Sequence, residues 1–285
     1  MALQTLESLL IATDFSPEAR HAAQRGARLA KEAGAARVAL MHVLGPAPDG
    51  FEERVAAQAQ SALAELAAEL GSVAGVEVEQ RLARGSAVDR LAEAGSGFGL
   101  VVAGARGEDP LFDLALGRTS ERLVRRSTRP VLLVKSAPRG PYSRVVAAVD
   151  FSPASRAGAL LAAAFAPGAP LELAHAFESE FESTLRFAGV ADEQVALYRQ
   201  QARARAMSDM ERFIVEAGLP AARLTRTIVH GYAPRVVARA AADAGADLVA
   251  VGRHRPSRLE ALILRSVSLE VVERAQCDVL VVPAP

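Results

Sequence analysis

The chain has 285 residues and a mass of 29.9 kDa, room for two ordinary domains. It is 51% hydrophobic and 23% charged, which leaves each half able to bury a core without staples. The 33 Lys+Arg balance the 33 Asp+Glu, which argues against a general nucleic-acid binder. The single cysteine, Cys277, excludes an internal disulfide framework and a cysteine-built zinc site. The N-terminus shows no basic n-region of a secretory signal. The longest nearly apolar run, 157–166, is far short of the ~20 residues of a membrane span. A soluble cytoplasmic protein, binding neither membrane nor nucleic acid, is the expectation.

In chain order, short apolar runs alternate with longer amphipathic ones. In the first half, strands are expected over 9–13, 38–43, 76–82, 100–103 and 131–134, and helices over 17–33, 52–70, 87–94 and 119–127. In the second half, strands are expected over 145–149, 171–176, 224–229, 248–251 and 279–282, and helices over 153–165, 192–217, 234–244 and 267–274. Near-continuous apolar strands separated by helices imply parallel strands buried on both faces, hence an open doubly wound sheet. Ser16-Pro17 and Ser152-Pro153 are helix starts, with Ser as cap and Pro at the first helical position.

The two halves are copies. Leu9-Leu10-Ile11-Ala12-Thr13-Asp14-Phe15-Ser16-Pro17 recurs as Val145-Val146-Ala147-Ala148-Val149-Asp150-Phe151-Ser152-Pro153. Met41-His42-Val43 answers Ala174-His175-Ala176, and Leu100 to Gly104 answers Leu248 to Gly252, at an offset of 148. Thr119 to Val124 answers Val267 to Val272 at the same offset. The order is kept while offsets drift, the mark of a duplicated domain with altered loops. The expected limits are 1–135 and 143–285, joined by a short, stiff linker at 136–142 with two prolines and a glycine. The apolar runs Val131–Val134 and Val279 to Val282 would be exposed sheet edges, and pairing them within the chain would cover both. The halves are therefore expected to pack as a pseudo-two-fold pair.

Ligands of open parallel sheets sit beyond the carboxyl ends of the strands. Those positions carry Asp14 and Asp150, His42-Val43 and His175-Ala176, and Gly104-Ala105-Arg106-Gly107 and Gly252-Arg253-His254-Arg255. Gly117-Arg118-Thr119-Ser120 and Arg265-Ser266-Val267-Ser268 each open a helix, where backbone N–H groups favour an anion. Asp14 can accept from a ribose hydroxyl or an adenine amino group; alternatively it only supports the helix that follows. His42 and His175 read as packed, hydrogen-bonded residues. His254 reads as a surface-loop residue or, with Arg253 and Arg255, part of an anion site. His21, His230 and Cys277 have no companions that suggest chemistry.

With Asp-Phe-Ser-Pro after the first strand, His-Val after the second, and Gly104-x2-Gly107-x9-Gly117, the chain resembles the universal stress proteins in their tandem form. The resemblance covers nearly the whole chain. It implies two five-stranded α/β domains of the adenine nucleotide alpha hydrolase-like kind, pairing through the final strands, and a role in survival under stress. Some members of the family bind ATP through that glycine motif and others lack it. Carried over, the nucleotide residues are Ala12, Thr13, Asp14, Val43, Gly104, Arg106, Gly107, Gly117, Arg118, Thr119 and Ser120. Their counterparts are Val149, Asp150, Ala176, Gly252, Arg253, Ser266, Val267 and Ser268. The implied ligand is ATP, with ADP or AMP as variants and Mg²⁺ accompanying it. Arg255 and Arg265 replace two glycines in the second copy, so the first copy is expected to bind more tightly.

Two other readings stand beside this one. The first is a scaffold that binds no nucleotide and acts through protein partners, a homodimer included. The second is a slow ATPase. A dedicated ATP pyrophosphatase or ligase would need a Ser-Gly-Gly-x-Asp-Ser type loop where Thr13-Asp14-Phe15-Ser16 stands. A P-loop is absent, because no lysine follows a glycine.

Overall fold

The computed structural model describes residues 6–106, 116–177, 187–254 and 266–284. The first half runs β1 (Ser8–Ala12), α1 (Pro17–Ala33), β2 (Arg37–Leu44), α2 (Glu52–Ala74), β3 (Val78–Arg84), α3 (Ala87–Gly95), β4 (Leu100–Gly104), α4 (Arg118–Arg126) and β5 (Val131–Val134). The second half runs β6 (Val145–Ala148), α5 (Pro153–Phe165), β7 (Leu171–Phe177), α6 (Asp192–Ala217), β8 (Leu224–His230), α7 (Ala233–Ala244), β9 (Leu248–Arg253), α8 (Val267–Arg274) and β10 (Asp278–Pro283), with a short 3-10 turn (Ala221–Arg223) before β8.

The strands form one ten-stranded sheet in the order β3-β2-β1-β4-β5-β10-β9-β6-β7-β8. Each half is parallel within itself, and the junction of β5 with β10 is antiparallel. At that junction Leu132 faces Leu280, Leu133 faces Val279 and Val131 faces Val281. Leu132 and Leu280 are counterparts at the 148-residue offset, so the pseudo-two-fold axis passes between them. Both runs are buried, and neither is left as a bare edge.

Alternation along the strands separates two core layers. Leu9, Ile11 and Leu40 face α1 and α2, while Leu10, Ala39 and Val101 face α3 and α4. The same division puts α5 and α6 on the first face and α7 and α8 on the second, so each layer runs through both halves. Ser16 and Ser152 cap α1 and α5 by accepting the N–H groups of Ala19 and Ser155. The largest shift from the sequence reading is at the end of α2, expected at 70 and observed at Ala74, and β3 accordingly begins two residues later than expected. Helix α2 runs on through Gly71 to Ala74, and only Gly75, in the left-handed region at φ 76°, ends it. Among the described residues, no helix is long and apolar enough to cross a membrane.

Candidate nucleotide site at the strand ends

In each half the strand order reverses beside the first strand, between β1 and β4 and between β6 and β9. The crevice of a doubly wound sheet lies there. In the first half that crevice is a cavity of about 850 Å³. Ala12, Thr13, Asp14, Val43, Gly104, Arg106, Gly117, Arg118, Thr119 and Ser120 all line it. Gly107, expected in the same set, lies outside the described residues.

The wall carrying Asp14 is a turn in an unfavourable backbone conformation. Phe15 has φ 66°, a region that costs an ordinary residue roughly 1–2 kcal/mol. Local hydrogen bonds hold it there. Thr13 Oγ1 accepts the Phe15 N–H at 3.0 Å, and Asp14 Oδ1 accepts the Ser16 N–H at 3.0 Å and its hydroxyl at 2.5 Å. His42 donates from Nδ1 to the Thr13 carbonyl at 2.8 Å, and its ring lies 4.5 Å from that of Phe15. His42 is thus a structural brace with its proton fixed on Nδ1, as a packed histidine should be. The second half repeats the device, with Phe151 at φ 64°, His175 Nδ1 on the Val149 carbonyl at 2.7 Å, and the two rings 4.4 Å apart.

Opposite Asp14 stands the start of α4. Gly117 N–H donates to the Ala105 carbonyl at 2.8 Å and the buried Ser120 hydroxyl donates to the Gly104 carbonyl at 2.7 Å, pinning the helix to the end of β4. Gly117 offers the start of α4 no side-chain cap, and the first-turn N–H groups of a helix are not used by its own ladder, the geometry that draws an anion. Gly104 has a packing reason as well. A Cβ there would sit 2.9 Å from the Arg106 carbonyl oxygen and 3.3 Å from the Glu18 backbone. Glu18, Met41, Leu91 and Leu116 also line the cavity, and the sequence reading had not singled them out. Glu18, Met41 and Leu91 are ordinary helix and strand residues and Leu116 lies in the bend before α4, all placed by packing.

In the second half the equivalent groups are engaged by other parts of the protein. Asp150 Oδ2 is 2.7 Å from His254 Nε2, and Asp150 Oδ1 accepts the Ser152 N–H at 3.0 Å. Burial pushes the Asp150 carboxyl up, but hydrogen bonds from Ser152 and His254 outweigh it and leave the group below its ordinary value. The Ser266 and Ser268 hydroxyls bond each other at 2.6 Å at the start of α8, where Val267 is exposed. A Cβ on Gly252 would sit 2.6 Å from the Ser155 nitrogen and 2.7 Å from the Ala154 carbonyl carbon. This glycine is therefore required by strand-on-helix packing whatever binds nearby. Arg253 is directed to the first half, its Nη1 and Nη2 donating to the carbonyls of Arg125 at 3.1 Å and Ser127 at 2.6 Å. Ala176 is the penultimate residue of β7, next to His175. Arg255 and Arg265 lie outside the described residues. Among the described residues no cluster of three or more His, Cys, Asp or Glu is placed to hold a metal.

The sequence profile of the universal stress protein family matches residues 5–135 and again 141–283. Solved structures similar to the whole chain include a universal stress protein from Archaeoglobus fulgidus DSM 4304. It is 19% identical over 98% of this chain and 99% of its own, with a TM-score of 0.73. A functionally unknown protein from Pseudomonas aeruginosa PAO1 is 20% identical over 99% of this chain and 94% of its own, with a TM-score of 0.63. A universal stress protein in complex with cAMP is 23% identical over 46% of this chain and 98% of its own, with a TM-score of 0.38. The search of curated proteins gives no match.

Proposed function

The chain belongs to the universal stress protein family, with two such domains in tandem, and from that premise we propose that it is a stress-response regulator whose first half binds an adenine nucleotide. The observation that carries the reading is the cavity of about 850 Å³. Its volume is in the range of small-molecule sites. It sets a carboxylate, a strand-end backbone and a helix N-terminus around one space. Asp14 and the backbone near Val43 would take the adenosine end. The start of α4, with Arg118, Thr119 and Ser120, would take the phosphates. ATP is the ligand proposed, with ADP and AMP sharing the adenosine end. Mg²⁺ would be held by the phosphates and water, with one or two carboxylates at most, which is how Mg²⁺ usually accompanies nucleotides. Glu18 is the other carboxylate lining the cavity, its backbone beside Gly104 near the start of α4, and the one that fits that role.

Binding, with hydrolysis slow at most, is the activity proposed. His42 is committed to the Thr13 carbonyl through Nδ1. The domain limits we propose are 1–135 and 143–285, with 136–142 between them. The second half supports a different role, because Asp150 is engaged by His254 and Arg253 by the first half. A ligand there must displace the protein's own contacts, so any nucleotide binds it more weakly. The alternative, a scaffold that binds no nucleotide, draws its support from this self-satisfied half.

Calorimetric titration with ATP tests the assignment. The wild type is expected to show one dominant site. Asp14→Ala removes the polar anchor and Gly117→Val crowds the phosphates, and each is expected to weaken binding at least tenfold. Unchanged affinity in both variants would sink the assignment.

A further inference from the structure

Among the described residues, Lys135 and Arg253 are cations that cross the junction between the halves and end on helix C-termini. Lys135, just after β5, directs Nζ onto the carbonyls of Val272 and Ala275 at the end of α8. Arg253, the last residue of β9, puts its guanidinium on the carbonyls of Arg125 and Ser127 at the end of α4. Ser127 and Ala275 are the C-cap residues of the two helices and are counterparts at the 148-residue offset. The same acceptor site is therefore served in both halves. The donors, however, are not counterparts. At that offset Arg253 corresponds to Ala105 and Lys135 to Pro283. Two unrelated positions supply the same interaction, a cation on the negative end of a helix whose last carbonyls lack partners of their own.

The helices so held are the ones that front the two strand-end sites. Helix α4 has nine residues, too short to be stable by itself, so its position depends on what packs against it. Its N-terminus forms the phosphate end of the first cavity. Its C-terminus is held by an arginine flanked by Gly252 and His254, the latter bonded to Asp150, within the strand-end site of the second half. Whatever rearranges 252–254 acts on α4 directly.

We propose that Arg253 is a positioning residue through which the second half sets the nucleotide affinity of the first. A ligand that takes Asp150 from His254 would move the neighbouring guanidinium and loosen α4. Lys135 is the reciprocal tie, from the first half to α8. The inference rests on the nucleotide reading of the first cavity.

The test uses the full chain in four forms: wild type, Arg253→Met, Arg253→Lys and Lys135→Met. Hydrogen exchange is followed over α4 and α8 without ligand, and ATP affinity is measured by calorimetry. Arg253→Met should speed exchange at the C-terminal end of α4 about tenfold, the effect of losing a charge-assisted hydrogen bond. It should also weaken ATP binding about fivefold or more, the lower end of ordinary coupling between sites. Arg253→Lys should recover most of both. Lys135→Met should speed exchange in α8 and leave α4 as in the wild type. Faster α4 exchange with unchanged ATP affinity overturns the proposal, and so does unchanged exchange. A wild type that binds no ATP removes the nucleotide reading and the regulatory role together. The crossed exchange pattern would then still establish, or its absence refute, the tie itself.

Discussion

Replacing Arg25 with methionine tests how the two halves are fastened. Arg25 is 5% exposed on α1, and its Nη1 donates to the Gly140 carbonyl at 2.7 Å. Its Nε is 3.4 Å from Asp278 Oδ2 on β10 and its guanidinium lies 4.0 Å from the centre of the Tyr142 ring. Asp278, 3% exposed, also accepts the Lys135 N–H at 2.9 Å and the Tyr142 hydroxyl at 2.7 Å. Methionine fills most of the space but leaves the carboxylate without its cation. Breaking one side of a buried pair costs ~3–5 kcal/mol.

The cost should depend on pH. Burial already raises the Asp278 carboxyl above 3.8, against hydrogen bonds from Lys135 and Tyr142 and the charge of Arg25. Without Arg25 the folded value rises further. A carboxyl with a raised folded value binds its proton more tightly folded than unfolded, so its contribution to stability falls as pH rises from 3.8 towards that folded value. The variant's deficit is therefore smaller near pH ~5 than near pH ~8, since protonation relieves the stranded charge. Urea unfolding at the two pH values measures it, as a shift in midpoint at constant slope. A deficit below ~1 kcal/mol at both, against ~3–5 expected, refutes the reasoning. An equal deficit at both pH values refutes the pH argument. Tyr142→Phe keeps the ring and removes only the hydroxyl, and should cost ~1–3 kcal/mol.

Three further outcomes are expected. Gly252→Ala should destabilise more than Gly104→Ala. The added carbon meets the Ser155 nitrogen at 2.6 Å in one case and the Arg106 carbonyl oxygen at 2.9 Å in the other, and overpacking costs ~1–3 kcal/mol; chemical denaturation giving the reverse order contradicts it. His42→Ala should lower stability by removing both the hydrogen bond to Thr13 and the ring against Phe15, and His175→Ala should do the same in the second half. A loss confined to one half on local hydrogen exchange would show that the two braces are not equivalent. Asp150 is held below its ordinary 3.8, so its contribution is present above that value and is lost as pH falls through its folded value. Asp150→Asn should flatten that part of the acid limb of the stability profile, and an unchanged limb would show that the contacts to Ser152 and His254 contribute nothing.

The sequence carried the fold through periodicity and repetition. The alternation of apolar runs with helices, the Ser-Pro helix starts and the matched order of Leu100 to Gly104 with Leu248 to Gly252 placed the two halves, and the apolar runs 131–134 and 279–282 placed the junction that joins them into one sheet. It could not show that Phe15 and Phe151 occupy the left-handed region, because phenylalanine is not a residue type that signals it. Gly252 was read as a nucleotide-site counterpart of Gly104, whereas its tightest neighbours are the backbone of Ala154 and Ser155. Arg253 was read as an anion ligand of its own half. Its observed partners, Arg125 and Ser127, are 126 residues and more away and come near only through the antiparallel junction. Glu18 of the cavity wall was missed because a first-turn glutamate ordinarily does no more than favour the helix start.

The most direct measurement of the central claim is a crystal structure of the full chain grown with ATP and Mg²⁺. The account predicts the adenine in the cavity of the first half, beside Asp14 and Val43, with the phosphates at the start of α4 against Arg118, Thr119 and Ser120. It predicts no ordered triphosphate in the second half, where His254 holds Asp150. ATP ordered in the second half with the first cavity vacant, or phosphates turned away from α4, would contradict it.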